Sequence, residues 1–334
     1  MKKTILTFIA AVIPLILEAQ VGIDRLYFDM RGSFHQEVTD GNYESQFKGD
    51  YLNLNIFGHI GEKIDYRVRQ QFSKKVFEEN NMFNGTDFLY INWQATRRWN
   101  FLFGKHAVLI GGYEFDAVPI DVYYYSQFCN NIYQGFTFGA SAGYEFARNQ
   151  RFVAQICNSP LSLGLSTIFA YNIGWTGEFA PWWKTLWTVN FVEDSSRRMI
   201  NYISLGNHLQ YGGLLFDLDF MNRAGLTQKR FFFSDITLIS KIIWSVGKWN
   251  ICAKAGYETN SSENVDKDGL AYDVVIAPGT EYVYYGCGLE WFPLGRDNLR
   301  LHAVYYRDNA SHKNNFDLGV TWRVDIIPMK RATR

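Results

Sequence analysis

Phe316-Asp317-Leu318-Gly319-Val320-Thr321-Trp322-Arg323-Val324-Asp325-Ile326 alternates without a break. Phe316, Leu318, Val320, Trp322, Val324 and Ile326 are apolar, whereas Asp317, Gly319, Thr321, Arg323 and Asp325 are small or polar. Successive side chains of an extended strand point to opposite faces, so this segment offers one face to hydrocarbon and the other to water. The pattern recurs upstream. Leu52, Leu54 and Ile56 alternate with Asn53 and Asn55, and beyond a turn at Gly61-Glu62-Lys63, Ile64, Tyr66 and Val68 alternate with Asp65, Arg67 and Arg69. Trp187, Val189 and Phe191 against Thr188 and Asn190 read the same way, as do Ile251, Ala253, Ala255 and Tyr257 against Cys252, Lys254 and Glu258. So do Val283, Tyr285, Leu289 and Trp291 against Gly286, Gly288 and Glu290. Helical spacing fits none of them.

Strands are expected over 21–32, 49–60, 64–74, 86–94, 99–106, 132–145, 150–158, 166–178, 184–193, 198–209, 213–222, 229–244, 249–258, 281–292, 298–308 and 315–326. The fold class this predicts is all-β, a transmembrane antiparallel β-barrel of about sixteen strands. Connections carry independent information. Every second one is short (61–63, 95–98, 147–149, 179–183, 210–212, 245–248 and 293–297), and the longest of the others are 107–131 and 259–280. Short turns at one end and long loops at the other are what an outer-membrane barrel shows. Trp93, Trp99, Trp175, Trp182, Trp183, Trp187, Trp244, Trp249 and Trp291 lie near short turns and Trp322 near the end of the last strand. All ten are expected at one rim, where an indole sits half in hydrocarbon with its N–H in water. Tyr257, Tyr285 and Tyr305 would mark the other rim.

Composition narrows the function classes. The 334 residues carry 33 basic and 33 acidic side chains, which gives no bulk attraction to nucleic acid. Aromatic residues make up 17% of the chain while its mean hydropathy is slightly negative, so the aromatics are interleaved with polar residues. Lys2 and Lys3, the apolar run 5–17 and Leu17-Glu18-Ala19 predict a signal peptide over 1–19. Beyond it no apolar run reaches the roughly 18 residues of a membrane helix. Residues 20–334 are then a single barrel domain in the Gram-negative outer membrane, with outer-membrane lipid and lipopolysaccharide as its surroundings. Cys129, Cys157, Cys252 and Cys287 are too spread for a metal or redox motif and are expected to be reduced or incidental. Pro328, which lacks a donor, would end strand pairing ahead of a basic tail.

Four stretches resemble outer-membrane porins of the phosphate-selective porin O and P type, in the form common in Bacteroidetes-like bacteria. They are Phe28-Asp29-Met30-Arg31-Gly32-Ser33-Phe34, Gly104-Lys105-His106, Asn158-Ser159-Pro160 and Asn201-Tyr202-Ile203-Ser204-Leu205-Gly206-Asn207. The resemblance implies a sixteen-stranded homotrimeric channel whose third external loop, here 107–131, folds inward to narrow it. Phosphate-selective members place cations at that constriction. This loop holds Glu114, Asp116 and Asp121 and neither Lys nor Arg; Lys105 stands just ahead of it. Phosphate preference is therefore not carried over. Arg31, Asp65, Arg67, Arg69, Lys254, Arg300 and Arg323 are the expected pore-lining residues, beside Asp29, Asp217, Asp219, Asp235, Glu258 and Glu290. Arg31, Arg67 and Arg69 read equally well as a cationic strip or as braces paired with Asp29 and Asp65.

Motifs of covalent chemistry are weak. Gly139-Ala140-Ser141-Ala142-Gly143 matches a nucleophile elbow, but Ser141 sits inside a strand pattern and not at a strand-to-helix turn, so a small lumen residue is expected. His35, His59, His106, His208, His302 and His312 lack metal-site spacing. Asn264-Val265-Asp266-Lys267-Asp268-Gly269 resembles half of a calcium loop but has Val275 where a bidentate Glu is needed, so a solvated acidic loop is expected. The expectation is a channel for passive diffusion of small hydrophilic solutes or ions, without cofactor, metal or catalytic residues. A barrel enzyme of lipase or protease type, or a structural, surface-binding barrel, is the alternative.

Overall fold

The computed structural model describes residues 21–39, 41–73, 82–162, 167–295 and 298–329. The expected signal peptide and the last residues of the basic tail lie outside them. Sixteen antiparallel strands close into one barrel: β1 (Val21–Thr39), β2 (Asn42–Ile60), β3 (Ile64–Gln71), β4 (Thr86–Gln94), β5 (Trp99–Ala107), β6 (Phe136–Ala147), β7 (Gln150–Asn158), β8 (Phe169–Ala180), β9 (Trp183–Glu193), β10 (Met199–Tyr211), β11 (Leu214–Gly225), β12 (Asp235–Val246), β13 (Trp249–Asn260), β14 (Glu281–Trp291), β15 (Leu299–Asp308) and β16 (Asn314–Ile327). Each strand pairs with its sequence neighbours, and β1 meets β16 from Leu26 opposite Ile327 to Val38 opposite Asn314. Closure satisfies backbone groups that hydrocarbon cannot solvate.

The alternation fixes the two faces. On β16, Phe316 and Leu318 are 42% and 57% exposed on the outer wall, while Asp317 between them is 5% exposed in the lumen. Turns of two residues need left-handed backbone, supplied by Asn149 (φ 58°), Gly212 (φ 57°) and Gly247 (φ 57°). Registers such as Trp249 opposite Trp291, Trp175 opposite Trp187 and Leu299 opposite Trp322 put the tryptophans beside the short-turn ends. There Trp249 stacks on Trp291 with centroids 5.7 Å apart, and Trp175 meets Trp187 edge-on at 5.0 Å.

Three of the boundaries that differ from expectation do so for identifiable reasons. β1 and β2 run on as a hairpin to Thr39 and Asn42, beyond the reach of β3, whose pairing with β2 ends at Asn53 opposite Gln71. Outside the hydrocarbon both faces are wet, so the polar-apolar contrast fades there although the backbone ladder continues. The expected strand start at 229 moves to Asp235 because Phe231-Phe232-Phe233 forms a turn. Phe233 has φ 63°, and Asn222 bonds to both Phe231 and Phe233.

Candidate functional site

Residues 108–135, between β5 and β6, fold into the barrel and are fastened to its inner wall strand by strand. At the neck the Leu109 N–H donates to Gln155 Oε1 at 2.7 Å, and Asn190 Nδ2 donates to the Leu109 carbonyl. Asp219 on β11 then accepts from the backbone N–H groups of Tyr113 and Glu114 at 2.9 and 2.8 Å. The loop can come that close because residue 112 is glycine: a Cβ there would collide with the Asp219 carboxylate. Glu114 is buried and accepts from Ser126, Cys129 and Lys254 of β13. Burial alone would push the Glu114 carboxyl up, but the Lys254 ammonium and these donors outweigh it and hold it below the ordinary carboxylate range. Glu258 accepts from the N–H groups of Gln127 and Phe128 at 2.6 and 3.0 Å. Tyr123 donates to Glu290 at 2.7 Å, and Lys254 donates to the Tyr124 carbonyl at 2.6 Å.

The loop tip, Ile120 to Val122, is held by two arginines. Arg31 Nη1 donates to the carbonyls of Ile120 and Val122 at 2.8 and 2.9 Å. Arg300 Nη1 donates to Asp121 Oδ1 at 2.8 Å, and Nη2 donates to the Ile120 carbonyl at 3.0 Å. Behind the tip the loop buries Phe128 and Ile132 against Ile200, Tyr202 and Met221 of the wall and against Val275 and Ile276 of the 261–280 connection. Asn131 Nδ2 donates to the Val275 carbonyl at 2.7 Å, and a fully buried Arg223–Asp273 ion pair at 2.5 Å fixes that connection in turn. Two loops thus share one apolar core inside the lumen.

The expected pore-lining residues separate into groups. Arg31, Lys254 and Arg300 hold the loop, as do Glu114 and Asp121 from its side. Arg69 pairs with Asp87 at 3.0 Å and Arg323 with Asp29 at 3.7 Å. The Arg67 guanidinium lies 4.7 Å from the Phe57 ring centre and 3.9 Å from that of Phe88, and its Nε has no hydrogen-bond partner among the described residues. Asp65 stands opposite His59 and Asn92 in the register. Asp116 is exposed. Lys105 is elsewhere. Its register partners Leu89 and Phe138 are both exposed on the outer wall, and its Nζ donates to the Phe83 carbonyl at 2.5 Å, so it stands outside the barrel and away from the constriction. Gln155, Asn190 and the Tyr123-Tyr124 pair are fasteners that period-two reasoning could place on a face or in a loop but not join.

The weak motifs find structural uses. Ser141 lies mid-strand in β6 with His106 Nε2 at 2.8 Å from its Oγ, a pairing the sequence does not announce. His106 Nδ1 faces the Gly104 carbonyl at 2.9 Å where a catalytic triad would put a carboxylate, and Gln155 joins at Nε2, so the group knits β5 to β7 beside the loop neck. Asp266 Oδ1 accepts from the N–H groups of Asp268 and Leu270, and its other oxygen pairs with Arg198 at 3.2 Å. All four thiols are free.

The family model for phosphate-selective porin O and P matches residues 25–185, the span that contains three of the four resembling stretches. The curated proteins give no match. Among solved structures, OmpF of Salmonella typhi in complex with daunomycin is similar at TM-score 0.61 and 9% identity, over 92% of this chain and 98% of that one. The outer membrane channel DcaP of Acinetobacter baumannii gives 0.61 and 11% over 92% and 97%, and an anion-selective porin from Comamonas acidovorans 0.60 and 8% over 92% and 100%. At these identities the structural likeness is one of fold. Family match and fold together support an outer-membrane porin channel.

Proposed function

We propose that this chain, with its family match and its closed, loop-narrowed lumen, is a non-enzymatic diffusion porin. It passes small hydrophilic solutes and ions across the outer membrane and is exported by its N-terminal segment. The observation that carries this reading is the inward loop fastened from β7 round to β15 and β1, which narrows a barrel lined with charged and amide side chains. Selectivity then follows from aperture and residual charge. Arg31, Arg69, Lys254, Arg300 and Arg323 each face a carboxylate, whereas Asp65 and Asp116 have no ion-pair partner among the described residues. With wall cations so engaged, phosphate specificity is not expected and the channel leans toward cations. A homotrimer is the assembly expected of the family, and a similar structure, OmpT of Vibrio cholerae, is described as a trimer form. Purified, folded protein in planar bilayers should give stepwise conductance with a reversal potential on the cation side in a salt gradient. Folded protein that never conducts would reject the reading.

A further inference from the structure

Strand β12 breaks the rule that inward positions of a water-filled barrel are polar. Lys241 faces the lumen opposite Asp217, so Ile239 and Ile243, two residues to either side, face it as well. The register continues the apolar level around the wall: Ile243 lies opposite Cys252, Cys252 opposite Gly288, and Gly288 opposite Val304. Gly288 has no side chain, so the row is dented at its middle. Over the dent runs loop segment 117–124, which contributes Val122 and the ring of Tyr124. The result is a cavity on the short-turn side of the constriction, with an apolar floor and roof.

We propose that this cavity is a solute subsite for a small amphipathic cation, an ammonium group carried on a hydrocarbon or aromatic body. The apolar row would receive the body, since sites that select such ligands are mostly apolar with a few converging charges. The charge sign comes from the rim. Glu114, Asp121, Asp217, Asp219 and Glu290 line the cavity, against Lys241, Lys254 and the adjoining Arg300. Those three cations are already engaged: Lys254 by Glu114, Lys241 by Asp217 at 3.0 Å, and Arg300 by Asp121 and Glu290 at 2.8 and 3.3 Å. Asp121 keeps 54% of its side chain exposed and is the carboxylate open to an arriving ammonium. An anion would meet five carboxylates against three cations, a net excess of two negative charges; a strongly hydrated cation would gain nothing from the isoleucines.

The inference rests on the porin reading, and the test separates the two. In planar bilayers phenethylammonium should produce concentration-dependent current blocks. Its half-blocking concentration should be about tenfold or more below that of ethanolammonium, from burial of the ring, and also below that of phenylacetate, which has the same ring and the opposite charge. Ile243→Ser, checked for a folded barrel by heat-modifiable gel mobility, should raise it by about tenfold. A conducting channel that phenethylammonium blocks no better than the two controls overturns the subsite and leaves the porin. Should the protein not conduct, calorimetric titration of the detergent-folded full chain with phenethylammonium decides the subsite alone: saturable binding weakened by Ile243→Ser supports it, and no saturable binding overturns it.

Discussion

Replacing Arg31 and Arg300 together by alanine should free the tip of the inward loop while leaving the barrel closed. Four hydrogen bonds to the tip disappear: two from Arg31 to the carbonyls of Ile120 and Val122, and two from Arg300 to Asp121 and Ile120. Bonds to charged groups are worth roughly 1.5–3 kcal/mol when buried, but this tip borders water and Asp121 is half open, so about 1 kcal/mol each is the better figure. Their sum, about 4 kcal/mol, corresponds to nearly a thousandfold change in the population of the detached tip. The fasteners at Leu109, Tyr113, Glu114, Gln127 and Phe128 remain, so the loop stays inside while its tip moves. Single-channel recording at about 1 M KCl, where the screening length is about 3 Å, removes most of the direct effect of two lost charges. Open-channel noise and mean conductance should both rise. Arg323→Ala, which removes a wall cation paired with Asp29 at 3.7 Å and without contact to the tip among the described hydrogen bonds, should change neither. A folded double variant with the noise and conductance of the parent would refute the idea that these arginines hold the tip.

Gly112→Ala should loosen the loop by overpacking it against Asp219, at about 1–3 kcal/mol, and would show as a lower temperature for loss of the folded gel band; an unchanged temperature would show that the contact can relax. For Glu114 the sign follows from a folded-state pKa below its ordinary value: its contribution is present above the ordinary carboxylate range and is lost only as pH falls below that range. The excess noise of Glu114→Gln, which strips Lys254 of its counter-charge, over the parent channel should therefore persist through the ordinary carboxylate range and fade only below it; an excess that fades within that range would contradict the assignment. Cys287 is exposed on the outer wall and Cys129 is half-buried with its thiol pushed well up by desolvation. An apolar maleimide should label Cys287 in lipid, a charged thiosulfonate should not, and Cys129 should react only after unfolding, as mass spectrometry would show.

Strand number, connection parity and the tryptophan rim were legible because each rests on local chemistry: side-chain period, turn residues, an indole's taste for an interface. The loop fasteners were not. Arg31 with Ile120, Asp219 with Tyr113 and Lys254 with Glu114 join residues about a hundred positions apart, and alternation says only that a side chain faces inward, never what it meets there. Lys105 is a different matter. It shares parity with Phe101 and Phe103 of β5, so alternation already places it on the outer wall; nearness in sequence to an inward loop is no guide to facing. Outside, where a bare ammonium would be costly, the Phe83 carbonyl receives it.

A loop held inside a barrel also explains why cation content predicts selectivity poorly here. A flexible segment left loose in a lumen would close the channel at random, and fastening it needs donors for its carbonyls and carboxylates. Arg31, Lys254 and Arg300 supply them. A guanidinium with two carbonyls in its fork has those N–H groups occupied, so it cannot also strip water from a passing phosphate, although its charge still contributes to the field. Arg67 differs: its guanidinium lies over the faces of Phe57 and Phe88, and no carboxylate among the described residues pairs with it. The channel's preference therefore depends less on how many arginines line the wall than on which charges the loop has left unspent: Arg67 on one side, Asp65 and Asp116 on the other.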